Sequence, residues 1–78
     1  MKKRIEGRFG TVAVEKGFIT VNQLVDALAI QARENIEHGK HRPIGQILLD
    51  QGLLTEAQIN EVLETMSNAL IYAISAGR

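Results

Sequence analysis

The chain contains no cysteine, no tryptophan, one proline and only three other aromatic residues, two Phe and one Tyr. Without cysteine there is no disulfide framework and no thiolate to act as nucleophile or metal ligand. Neither sign of charge is in excess: nine Lys and Arg stand against nine Asp and Glu. A neutral chain has no field to hold nucleic acid or an anionic membrane. Long apolar runs are also missing. The longest, Ala69 to Ala76, is interrupted by Ser75 and is too short to span a bilayer. The basic start, Lys2-Lys3-Arg4, reads as a solvated tail. No apolar stretch follows it, which argues against a secretion signal and makes a cytoplasmic location the expectation.

At 78 residues the chain reads as one small domain. Within it lies an internal repeat. Residues 8–31 and 43–66 align at an offset of about thirty-five positions. Gly10 falls on Gly45, Gly17 on Gly52, Thr20 on Thr55, Gln23 on Gln58 and Leu28 on Leu63. Each copy encodes a helix, a stop and a new start. Gly17 and Gly52 can take the left-handed conformation that closes a helix end, bringing Phe18 back toward Ala13 and Leu53 toward Leu48. Thr20 with Gln23, and Thr55 with Gln58, have the spacing of a reciprocal capping box. Ile19 with Leu24, and Leu54 with Ile59, have that of a hydrophobic staple.

The pattern predicts an all-α fold of two tandem helix–turn–helix repeats. Its helices fall over 5–16, 20–37, 44–51 and a long 55–75, and loop 37–43 joins the copies. In the second helix Leu24, Leu28 and Ala32, with Val21, Val25 and Ile36, form an apolar face. In the fourth, Ile59, Leu63, Met66, Leu70, Ala73 and Gly77 follow a heptad seam. That seam runs into the extension 67–78, which must pack on its own domain or on a second chain.

Polar constellations for chemistry are scarce. Gly39-Lys40 lacks the first glycine and the Ser or Thr of a phosphate-binding loop. Ser67 and Ser75 have no histidine and acid at matched offsets. Glu61 and Glu64 read as a solvated helix face. His38 and His41 lack the further ligands a metal needs, so neither a metal nor a cofactor is expected. As a DNA-reading unit, the fourth helix would present Glu56, Glu61 and Glu64 to phosphates, which disfavours nucleic acid.

Arg8, Phe9, Gly10, Ala13, Val14, Gly17, Phe18, Ile19, Leu24, Leu28 and Gln31 fall position by position on a known tandem motif. The second copy follows it at Ile44, Gly45, Leu48, Leu49, Gly52, Leu53, Leu54, Ile59 and Leu63. In these residues the chain resembles the N-terminal domains of type II secretion and type IV pilus assembly ATPases (the MshE/GspE N-terminal family). Some members of that family bind cyclic di-GMP. The resemblance therefore implies Arg8, Phe9, Gly10 and Gln31 as candidate ligand-binding residues. The second copy has Pro43 where the arginine belongs and Met66 where the glutamine belongs, with Arg42 one position early.

The leading expectation is a non-catalytic protein-interaction or regulatory module. It would contact a protein partner or a second copy through Leu70, Ile71 and Ile74. A cyclic di-GMP sensor is the alternative, and helix-turn-helix DNA binding the third reading. No enzyme activity is expected, because nothing assembles a nucleophile, a base and an electrostatic stabiliser.

Overall fold

A computed structural model of the chain describes the backbone of residues 5–76 and the side-chain surroundings of residues 8–67. Among the described residues the fold is all-α. It comprises α1 (Ile5–Glu15), α2 (Val21–His38), α3 (Ile44–Asp50) and α4 (Glu56–Ala76), with no strand.

The helix ends follow from local chemistry. α1 stops at Gly17, which has a φ of 79°, and α3 stops at Gly52, with a φ of 78°. At the first turn Gly17 N donates to Val14 O at 2.9 Å and Phe18 N to Ala13 O at 3.0 Å. At the second, Gly52 N donates to Leu49 O and Leu53 N to Leu48 O, both at 2.9 Å. Both turns thus use the paired closure in which a left-handed glycine lets two following amides satisfy carbonyls of the last turn. The restart is equally regular. Thr20 Oγ1 accepts from Gln23 N at 3.1 Å, and Gln23 Oε1 accepts from Thr20 N at 2.9 Å. Thr55 and Gln58 make the same two bonds at the same distances. Each box satisfies two donors that a helix start would otherwise leave unpaired.

The connection between α2 and α3 is shorter than the sequence suggests. α2 continues through His38 and ends at Gly39, whose φ is 65°, leaving 39–43 as the loop. Pro43 sits just before α3 as its N-cap, extended at ψ 149° and without a side-chain cap. Its carbonyl accepts from Gln46 N and Ile47 N.

α1 packs against all three other helices, and α2 packs on α3. The shared core holds Phe9, Val12 and Ala13 from α1, Ile19 and Leu54 from the turns, Ala27 from α2, Ile44, Ile47 and Leu48 from α3, and Val62 from α4. Phe18, Leu24, Leu53, Ile59 and Met66 pack around its edge. Burying an aliphatic side chain of this size contributes roughly 1.5–3 kcal/mol.

Two glycines set helix spacing. A Cβ on Gly10 would lie 2.6 Å from Leu24 Cδ1, and one on Gly45 would lie 3.1 Å from Phe9 Cζ. Gly10 therefore lets α2 approach α1, and Gly45 lets α3 close over the Phe9 ring. An ion pair, Lys16 Nζ to Glu61 Oε2 at 3.3 Å, ties the end of α1 to α4. Glu61 is thus partnered across helices rather than only solvated.

Candidate interaction surface

The apolar face expected along α2 divides in two. Leu24 turns inward over Gly10, and Ala27 is completely buried. Val21, Val25, Leu28 and Ile36 remain 61%, 54%, 40% and 82% exposed. Ala29 and Ala32 between them are exposed as well. At 100° per residue, Val25 and Ala32 lie roughly 160° and 140° round from Ala27, so the stripe points away from the core. It runs from Val21 to Ile36, about 22 Å at 1.5 Å per residue. Ordinary surfaces scatter single apolar residues; a contiguous row along one helix stands out from that background, which makes the stripe the candidate surface. The sequence contains this stripe, but the 3.6 period alone does not say which part of a broad apolar arc faces inward.

On α4, Ile59 and Met66 join the core edge while Leu63 stays 45% exposed. Leu70, Ile71 and Ile74, the contact residues expected from the sequence, lie outside the residues whose side chains are described.

The candidate ligand-binding residues occupy different environments. Arg8 is exposed on the outer face of α1. Phe9 is a core residue, 5% exposed, beneath Gly45. Gly10 is buried under Leu24. Gln31 is half-buried, and its Nε2 donates to Arg42 O at 2.9 Å, fastening the inter-helix loop to α2. The capping residues Gly17, Thr20, Gln23, Gly52, Thr55 and Gln58 are engaged in the turns already described.

A polar clamp at Arg42 escapes sequence reasoning. Its guanidinium forks onto Glu34, with Nε to Oε1 at 3.1 Å and Nη2 to Oε2 at 2.6 Å. The remaining Nη1 reaches Asp50 Oδ2 at 2.5 Å, and Gln46 Nε2 holds the other Asp50 oxygen at 2.8 Å. One half-buried arginine thus joins the last turns of α2 and α3 through the loop between them. The forked geometry is the one that suits a guanidinium to a carboxylate. The Arg42 hydrogen bonds hold the Glu34 carboxyl below its ordinary range; partial burial opposes them, and the charges of Arg42 and Lys40 add to them. Glu34 and Asp50 each lie eight residues from Arg42, a separation that no local pairing rule singles out.

The surface depression beside this clamp, lined by Ile30, Arg33, Glu34, Glu37, His38 and Lys40, is open to solvent. Among the described residues no three His, Asp or Glu side chains gather where a metal ion could sit. No helix among them is long and apolar enough to cross a membrane. Comparison with protein-family models, curated proteins and solved structures finds no match to the chain.

Proposed function

We propose that the chain is a non-catalytic helical module that docks protein through the apolar stripe of α2. The observation that carries this reading is the row Val21, Val25, Leu28, Ala32 and Ile36, held in solvent on a helix whose opposite side is anchored in the core. The polar side chains that structure the fold are occupied: both capping boxes close helix starts, and the Arg42 clamp joins α2 to α3. They hold the stripe in a fixed frame. The resemblance to N-terminal domains of secretion and pilus ATPases supports the same class of role, and a cytoplasmic setting belongs to the same proposal.

The test is a photoreactive side chain placed at Ala29, inside the stripe, and at Asn60, an exposed residue of α4. Illumination in the native cell should give a defined adduct from position 29, its partner identified by mass spectrometry, and none from position 60. Equal adducts from both positions, or none from either, would remove the docking reading.

The cyclic di-GMP reading draws less support, because Phe9 serves the core and Gln31 already holds Arg42 O. Calorimetric titration with cyclic di-GMP should give no saturable heat. Saturable heat that disappears in Arg8→Ala would favour the sensor instead.

A further inference from the structure

We infer that the occupant of the stripe is a second copy of this chain, its α2 lying antiparallel across the first about a twofold axis between Leu28 and Ala29. The inference rests on the docking reading above and goes further by naming the partner.

The stripe is self-complementary in this register. Antiparallel pairing about that axis brings residue n level with residue 57 − n, at 1.5 Å of rise per residue. Val25 then lies level with the partner's Ala32, and Val21 with the partner's Ile36. Leu28 meets the partner's Leu28 on one side of the axis, and Ala29 meets the partner's Ala29 on the other. Large residues face small ones at the Val25 level, and the paired alanines let the helices close. A two-fold contact uses the same patch on both copies, so a patch that reads alike in both directions fits it.

Charge fixes the orientation. Asp26 and Arg33 are exposed, and neither enters an ion pair among the described residues. At 100° per residue they lie about 20° apart on one flank of the stripe. In the antiparallel pair like flanks face each other. Asp26 then comes within about 3 Å, along the helix axis, of the partner's Arg33, and symmetry repeats the pair. A parallel pair would set this flank against the opposite one, around Leu24, Gln31 and His38, so that Asp26 and Arg33 would not face each other. Complementary charges of this kind select partner and register more than they add affinity.

The rest of the domain does not obstruct the contact, because the stripe points roughly 140° away from buried Ala27. A single helix-on-helix contact falls at the low end of interface sizes, below about 1,200 Å², so the association should be weak and concentration-dependent.

Sedimentation equilibrium of the full chain from about 10 μM to about 1 mM, bracketing a weak contact of this size, is the test. The native chain should pass from monomer to dimer. Asp26→Arg and Arg33→Asp should each weaken the dimer about tenfold or more, and the doubly reversed chain should recover to within about threefold of native. All these positions are exposed, so folding is unaffected. Because the chain has no cysteine, Ala29→Cys gives an independent readout. It should oxidise to a disulfide-linked dimer, while Asn60→Cys should not. A chain that stays monomeric throughout, or a double reversal no better than either single one, overturns the inference. If the chain is monomeric and the Ala29 photoadduct contains a different polypeptide, the second copy is excluded and the docking reading stands. If there is no adduct at all, both fall.

Discussion

Gly52→Ala isolates the backbone of the second turn from everything around it. Gly52 has a φ of 78°, and a Cβ built there meets nothing within 4 Å. No clash therefore contributes, and the cost is that of holding an L-residue in the left-handed region, about 1–2 kcal/mol. Alanine also stiffens the unfolded chain, which returns about 0.4–1 kcal/mol. The net loss is about 1 kcal/mol. In a domain of this size that lowers Tm by about 4–8 °C. Gly52→Asn should lose less, since asparagine visits the left-handed region more readily, and Gly52→Val should lose most. Gly17 has a φ of 79°, the same two turn hydrogen bonds and the same open space. Gly17→Ala should therefore match Gly52→Ala to within about 0.5 kcal/mol. Urea unfolding followed by circular dichroism at 222 nm measures all four, with the slope expected to stay constant. An alanine variant as stable as the native chain would show that the turn does not require a left-handed residue. A large difference between the two alanine variants would show that the turns are not energetically equivalent.

Other outcomes follow from the packing and the clamp. Gly10→Ala gains up to about 1 kcal/mol of helix propensity but overlaps Leu24. It should destabilise the native chain and be neutral or stabilising in a Leu24→Ala background, a coupling that a double-mutant cycle reads directly. Glu34 has its folded pKa held below the ordinary value of 4.5. Its contribution is therefore complete above the unfolded value and is lost as pH falls through the lower folded one. Arg42→Gln removes the fork, so its stability deficit should be steady near neutral pH and shrink progressively below about pH 4.5. A deficit independent of pH would mean that Arg42 acts through packing alone.

The helix boundaries were legible because they are set locally. Thr20, Gln23, Thr55 and Gln58 encode their hydrogen bonds in their spacing, and Gly17 and Gly52 encode a conformation other residues resist. What stayed hidden depends on three-dimensional approach. Gly10 and Gly45 look like turn or packing glycines in any sequence; only the positions of Leu24 and Phe9 reveal what a Cβ at each would crowd. Arg42 looked like a misplaced motif arginine and is instead the centre of a clamp whose partners are eight residues away on either side. Gln31 fitted a ligand-binding motif, and the structure gives it a bond to a loop carbonyl. The α2 face was half legible. Its apolar residues span more of the helix circumference than one neighbour can cover, and the placement of α1 and α3 decides that Leu24 and Ala27 go inward while Val21, Val25, Leu28 and Ile36 stay out.

We propose that this exposed stripe serves association and not folding. The most direct measurement is Val25→Glu, read for stability and for association in the same preparation. Val25 is 54% exposed, away from the core. The unfolding free energy of the monomer should stay within about 0.5 kcal/mol of native, while self-association and the Ala29 photoadduct are both lost. A variant that unfolds readily yet still associates would contradict it.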